Sequence, residues 1–355
     1  MNASDGQPGP NRVRIAILGA SGYTGAELVR LLVRHPGADL RVLTADRKAG
    51  QSMAEAFPHL AGLELPDLIR IEDADWDDVD VVFGCLPHGT MHGLVRELPE
   101  RIKVIDLSAD FRLAKAEDYT EWYGLEHTAM DLQPQAVYGL TELHRAAVAE
   151  ARIVAGPGCY PTSVQLPLVP LVEAGLIEPD GIIADSKSGV TGAGRGSKEA
   201  NLHGEVSEGI HAYGLTRHRH VAEIEQGLSA AAGRAVTATF TPHLMPMNRG
   251  ILSTMYVTLA NGATPDGLRA ALTERYAGEP FVRVVPAGMS PATRHVRGSN
   301  HVLIGVFPDR NPERAILVCV LDNLVKGASG QLVQNMNLMC GFDEAAGLEQ
   351  QPLFP

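Results

Sequence analysis

The chain has 355 residues, of which 45% are hydrophobic, 20% charged and 5% aromatic, ordinary globular usage that excludes a disordered, collagen-like or disulfide-built protein. At roughly 150 residues per domain, that length predicts two domains. With 42 acidic against 30 basic residues the formal charge is -12, which repels nucleic acid and anionic membrane, so neither is expected as a partner.

In chain order, Met1 to Arg12 is rich in Gly, Pro, Asn and Asp and reads as a disordered tail with no apolar core for a secretory signal. From Val13 onwards short β-branched runs alternate with amphipathic stretches. Strands are predicted at Val13–Leu18, Leu40–Thr44, Val79–Cys85 and Lys103–Leu107, and Tyr23–His35 reads as a helix with Leu28, Leu31 and Leu32 on one face. Strands separated by helices imply a parallel sheet covered on both sides, so residues 13–155 are read as a doubly wound, Rossmann-type α/β domain. The uncharged stretch Ile153 to Val172 contains Pro157, Pro161, Pro167 and Pro170, which argue against a membrane helix.

Beyond Gly156 the strand candidates are Ile182–Asp185, Ala235–Thr241, Thr254–Leu259, Phe281–Val285, Val302–Phe307 and Ala315–Leu321, with few helices between them. That texture predicts a mixed-sheet α+β domain over 156–325. The final helix candidate, Gln331–Leu338, carries Leu332, Val333 and Met336 in one apolar stripe and is free to return to the first domain.

Directly after the first strand, Gly19-Ala20-Ser21-Gly22-Tyr23-Thr24-Gly25 forms a G-x-x-G-x-x-G turn that opens a helix. There bare backbone lets a pyrophosphate reach unpaired helical N–H groups. Strand, turn, helix and second strand fall at the spacing of a dinucleotide fingerprint, so a nicotinamide cofactor is expected. Arg47 and Lys48, after the second strand, favour a 2′-phosphate and hence NADP(H).

The four cysteines, Cys85, Cys159, Cys319 and Cys340, show no paired spacing, which fits a reducing cytoplasm better than a disulfide framework. Cys159, in Gly156-Pro157-Gly158-Cys159-Tyr160-Pro161-Thr162, is placed where a helix begins. Such a position lowers a thiol's pKa and supplies N–H groups to an oxyanion. Between Arg195 and His220 the acidic chain gathers Arg195, Lys198, Arg217, Arg219, His203, His211, His218 and His220, an island that suits an anionic small molecule. The loop Ser188 to Arg195 is glycine-rich, and its N–H groups and terminal guanidinium suit a carboxylate or phosphate. His218 and His220 share one side of an extended segment, and either could serve Cys159 as acid and base. Cys85, His88 and His92 offer a thiolate and two imidazoles, but no fourth ligand cluster accompanies them and no metal is expected.

At these motifs the sequence resembles the N-acetyl-gamma-glutamyl-phosphate reductase family of arginine biosynthesis, relatives of aspartate-semialdehyde dehydrogenase. The match spans about Val13 to Pro355. It rests on Gly19 to Gly25, Leu86-Pro87-His88-Gly89, Asp106 to Arg112, Gly158 to Thr162, Ser188 to Arg195, His218-Arg219-His220, Pro246 to Gly250 and Asp322 to Asn337. The resemblance implies NADPH-dependent reductive dephosphorylation of N-acetyl-L-glutamyl 5-phosphate to N-acetyl-L-glutamate 5-semialdehyde through a Cys159 thioester, with release of inorganic phosphate.

By the same resemblance His218 or His220 assists Cys159, with His218 the favoured one. Gly19, Ser21, Gly22, Tyr23, Thr24, Gly25, Arg47, Lys48, Pro87, His88, Ser188, Gly189 and Asn323 are implied to bind the cofactor. Ser108, Arg112, Tyr160, Arg195, His211 and Arg249 are implied to bind the acyl phosphate. Residues 326–355 are implied to complete the cofactor domain, and 156–325 to form the catalytic and oligomerisation domain of a homotetramer or homodimer. Gly156 and Ala222 depart from the Asn and Pro common in the family. Reduction of a carrier-bound aminoadipyl or glutamyl phosphate, and a non-catalytic NADP sensor, are the alternative readings.

Overall fold

The computed structural model describes residues 12–196, 199 and 202–355, so Met1 to Asn11 of the expected tail and Lys198 of the basic island lie outside the described residues. Seven parallel strands make the first sheet: β1 (Val13–Leu18), β2 (Ala38–Thr44), β3 (Leu68–Ile69), β4 (Val81–Gly84), β5 (Lys103–Asp106), β6 (Ala136–Tyr138) and β7 (Ile153–Ala155). Their order is β3-β2-β1-β4-β5-β7-β6. The pleat of β1 sends Ile15 and Ile17 into one apolar cluster and Ala16 and Leu18 into another, one on each face of the sheet. The winding reverses between β1 and β4, the place where open parallel sheets bind ligands beyond their strand ends.

The second sheet is mixed. It comprises β8 (Ile183–Gly189), β9 (His211–Ala212), β10 (Thr239–Met245), β11 (Ile251–Thr258), β12 (Val282–Val284), β13 (Val302–Pro308) and β14 (Arg314–Leu321), in the order β12-β13-β14-β11-β8-β10-β9. Along β11 the residues Ile251, Ser253, Met255 and Val257 are buried, while Leu252, Thr254, Tyr256 and Thr258 remain half-buried on the opposite face.

Three long helices, Cys159–Glu173, His220–Ala232 and Pro265–Arg275, accompany these strands, more helix than the sequence texture suggested. The strand expected at Ala235–Thr241 instead runs Thr239–Met245 and passes through Pro242, because its neighbour on the outer side is only the two-residue β9.

The proline-rich stretch is helical despite Pro167 and Pro170 inside it. An interior proline costs a helix about 3 kcal/mol, but every residue from Tyr160 to Val172 is buried, and that burial offsets the loss. No helix among the described residues is long and apolar enough to cross a membrane.

After β14 the chain returns to the first domain through a π-helical turn, Val325–Ser329, and the helix Gly330–Cys340. Leu332, Val333 and Met336 pack in the cluster that holds Ile15, Leu28 and Leu31. Polar contacts fix the same junction: Ser329 Oγ donates to the Thr24 carbonyl at 2.9 Å, and the buried Lys326 ammonium meets Glu142 at 2.6 Å.

The phosphate-turn glycines answer steric demands. Gly19 has φ +77°, and a Cβ there would lie 2.5 Å from the Cys85 carbonyl oxygen; at Gly25 a Cβ would lie 2.6 Å from Ala20 Cα. Gly25→Ala should therefore lower stability by about 1–3 kcal/mol, read as a fall in Tm. Gly93→Ala, on an exposed helix where a Cβ meets nothing within 4 Å, should raise stability by about 0.5–1 kcal/mol.

Candidate active site

β7 ends at Ala155, and Gly156-Pro157-Gly158 turns the chain so that Cys159 is the first residue of its helix. Glycine is required twice. A Cβ at Gly156 would lie 2.4 Å from Leu332 Cδ2, and one at Gly158 would lie 2.6 Å from His220 Nε2. Cys159 opens into a cavity of about 300 Å³ that is also lined by Tyr160, Ser188, Gly189, His211, His218, Arg219 and His220.

Burial, not the helix terminus, governs the thiol: it pushes Cys159 up to about 11, against the downward pulls of the Tyr160 N–H and the Arg112 charge. The expected lowering is thus overturned, because the thiol is packed in, with Gly327 against its Cβ. Burial also keeps both histidines neutral. His218 falls to about 4 through burial and then the neighbouring Arg219 charge, and its Nδ1 accepts the His220 N–H at 3.1 Å among the rings of Tyr160, Tyr213 and Phe240. His220 is held well below the ordinary histidine value by burial and then by the charges of His218, Arg112 and Arg219, and its Nδ1 is buried with no partner. Since His220, not His218, has its ring against Gly158, the geometry reverses the preference for His218.

Glu223, which sequence reasoning missed, lies three residues after His220 on the same helix and is almost fully buried. It accepts the Gly158 N–H at 2.9 Å, the Tyr138 hydroxyl at 3.0 Å and the Arg112 guanidinium at 3.0 Å. Arg112 also donates to the Leu107 carbonyl at 2.6 Å. It therefore stands behind the thiol and outside the cavity lining.

Other expected substrate ligands lie elsewhere. Arg195 donates to the carbonyls of Ser21 at 3.0 Å and Ala56 at 3.2 Å and stacks 4.2 Å over the Phe57 ring. Arg249 makes a bidentate pair with Glu27, at 3.0 and 2.7 Å. Ser108 is buried and donates to Asp106 at 2.6 Å. Among the described residues of the island, His211, His218, Arg219 and His220 line the thiol cavity, whereas Arg217 reaches the Glu121 carbonyl and His203 lines a separate depression.

A second cavity, of about 440 Å³, lies at the winding reversal and is lined by Gly19, Ser21, Gly22, Thr44, Asp46, Arg70 and Pro87 among others. The bare turn with its N–H groups fits a pyrophosphate. Tyr23, Thr24 and Gly25 form the helix turn behind it. Arg47 is exposed and Lys48 donates to Gln51, so neither lines this cavity; the cation there is Arg70, 3.9 Å from Asp46. Ser188 and Gly189 line the thiol cavity instead, and Asn323 is occupied with the Gly250 N–H at 2.7 Å and Thr191 at 2.9 Å. His88 is in the lining of neither cavity: its Nδ1 accepts the Ala109 N–H at 3.0 Å, and burial takes its pKa down to about 4. Cys85, His88 and His92 do not converge, and among the described residues no such group is placed to hold a metal.

Residues 14–151 match the semialdehyde dehydrogenase NAD binding domain, and residues 159–323 match the semialdehyde dehydrogenase dimerisation domain. The N-acetyl-gamma-glutamyl-phosphate reductase of Rhodospirillum rubrum is 64% identical over 97% of this chain and 99% of its own length. The chain belongs to the N-acetyl-gamma-glutamyl-phosphate reductase family.

A probable chloroplastic family member from Arabidopsis thaliana is 58% identical over 97% of this chain and 86% of its own length. The fold extends to aspartate semialdehyde dehydrogenases. That of Vibrio cholerae, complexed with ASA, superposes with a TM-score of 0.69 at 17% identity over 93% of this chain and 98% of its own. That of Candida albicans, with NADP, gives 0.65 at 16% over 93% and 98%.

In the family member's free state, alkylation of Cys159 by iodoacetamide should rise about tenfold per pH unit and show no plateau below pH 10, given the midpoint of about 11. Glu223→Gln removes a charge that raises the thiol pKa and should shift this profile to lower pH, with circular dichroism confirming that the variant is folded.

Proposed function

We propose that this family member is an NADPH-dependent acyl-phosphate reductase that converts N-acetyl-L-glutamyl 5-phosphate into N-acetyl-L-glutamate 5-semialdehyde in arginine biosynthesis. The observation that carries the reading is Cys159 at a helix start with the neutral His220 against its N-cap, in a cavity reached by Arg219 and His211. In this reading residues 13–155 with 326–355 hold the cofactor and 156–325 carry the chemistry.

The Cys159 sulfur attacks the acyl carbon while its proton passes to His220 Nε2. The carbon–oxygen bond to phosphate then breaks, and inorganic phosphate leaves a thioester. The substrate's negative charge favours the imidazolium form, so the proton transfer that burial opposes in the free protein becomes easier in the complex. Arg219 and His211 bind the phosphate, and N–H groups at the helix start face the carbonyl oxygen. Gly19 to Gly22 would hold the pyrophosphate of NADPH and Arg70 would meet its 2′-phosphate, and the cofactor would supply the hydride needed to bring the thioester to the aldehyde level. His220 returns its proton to sulfur as the carbon–sulfur bond breaks and the semialdehyde is released. The uncovered face of the second sheet, with Leu252 and Tyr256, suits docking of a second copy in a homodimer or homotetramer. Four free thiols fit a reducing cytoplasm.

The test is the reverse reaction: protein, N-acetyl-L-glutamate 5-semialdehyde and NADP, with and without phosphate, followed by nicotinamide absorbance. Phosphate-dependent NADPH formation is expected; none, with NADP binding confirmed, contradicts the reading. Cys159→Ser should abolish turnover with the NADP dissociation constant unchanged. His220→Asn should slow turnover by about 10²–10⁴ and His218→Asn by less.

A further inference from the structure

The thiol cavity and the cavity at the phosphate-binding turn share no lining residue. Acylation of Cys159 therefore needs only the first, whereas reduction needs both. We propose that, with the cofactor site empty, the protein is a slow thiol-dependent hydrolase of small activated acyl compounds, aryl esters as well as acyl phosphates. This activity rests on the nucleophile assigned above, but it requires neither nicotinamide nor the natural substrate.

Space and protonation both support it. A cavity of about 300 Å³ holds a short acyl group together with several waters, each of which takes about 30 Å³ in the liquid, so water reaches the acylated sulfur. His220 is neutral because it is buried among like charges, and its ring lies beside the residue that precedes the thiol. A neutral imidazole at that place can accept a proton from water. Among the described residues His220 Nδ1 is buried without a partner.

The chemistry balances without a redox partner. Sulfur bonds to the ester carbon, the bond from carbon to the aryl oxygen breaks, and the thiol proton passes through His220 to the phenolate. Water then attacks the thioester carbon and loses a proton to His220; the carbon–sulfur bond breaks, and that proton returns to the thiolate. The sum is ester plus water giving carboxylic acid plus phenol. Because the resting thiol titrates near 11, acylation is slow at neutral pH and accelerates as pH rises.

The probe is p-nitrophenyl acetate, added to the cofactor-free full-length chain, with p-nitrophenolate release followed by absorbance. Steady release is expected, preceded by a burst close to one equivalent per chain once the pH is high enough for acylation to outrun deacylation. Both phases should be absent in Cys159→Ser, and the steady phase should slow by about a hundredfold in His220→Asn. Mass spectrometry should show an acetyl group on Cys159 that decays at the steady-state rate. His220→Gln, with a thermal melt for each variant, separates loss of the base from loss of the fold. A burst with no later turnover overturns the hydrolase and leaves the nucleophile standing. No Cys159-dependent release at any pH, while iodoacetamide still alkylates Cys159, overturns the hydrolase and the acylation reading together. Release undiminished in Cys159→Ser overturns the hydrolase alone, if that variant has lost reductase turnover.

Discussion

The buried carboxylate of Glu223 joins three pieces of chain: the Gly158 N–H before the nucleophile, the Tyr138 hydroxyl at the end of β6, and the Arg112 guanidinium from the loop after β5. His220 lies on the same helix, so whatever holds Glu223 also sets the imidazole against the thiol loop. An ion pair as buried as Arg112 with Glu223 is poor evidence for net stability, since desolvation offsets the attraction. Its worth here is registry. It fixes the thiol loop relative to His220, and it balances two opposite charges around a sulfur whose pKa Glu223 raises and Arg112 lowers.

A second set of contacts makes two domains act as one site. Arg249 grips Glu27 on the helix behind the phosphate turn, Arg195 holds the Ser21 carbonyl of the turn itself, and Ser329 bonds the Thr24 carbonyl. Two of these come from segments that also reach the thiol: Ser188 and Gly189 precede Arg195, and Gly327 lies against Cys159 two residues before Ser329. The glycine turn is thereby tied to the walls of the thiol cavity, although the two cavities have separate linings.

Much of this was legible in the sequence. The alternation in Val13–Leu18, the glycine turn and the position of Cys159 before an apolar run depend on local geometry, and they stand where periodicity and turn chemistry put them. Arg195, Arg249 and Ser108 are expected at the substrate but are engaged with protein carbonyls and carboxylates, because a guanidinium or hydroxyl reads the same in sequence whichever acceptor it faces, and only tertiary packing decides. Arg70 was missed because β3 is two residues long and leaves no periodic signal. The extended reading of His218-Arg219-His220 put both imidazoles on one side, whereas His220 opens a helix and alone has its ring against Gly158. The spacing of His220 and Glu223, three residues apart on one helical face, was the available signal for the missed carboxylate. The thiol pKa was beyond reach, since it is set by burial that residues as distant as Gly327 create.

The central claim is that the acyl group passes through Cys159. The most direct measurement is to mix the protein with N-acetyl-L-glutamate 5-semialdehyde and NADP in the absence of phosphate, quench with acid, digest, and weigh the cysteine peptides. An N-acetylglutamyl adduct on the Cys159 peptide alone, matched by an equivalent of NADPH, is the result this account predicts. NADPH formed with an unmodified Cys159 peptide, or with the adduct on Cys85, Cys319 or Cys340, would contradict it.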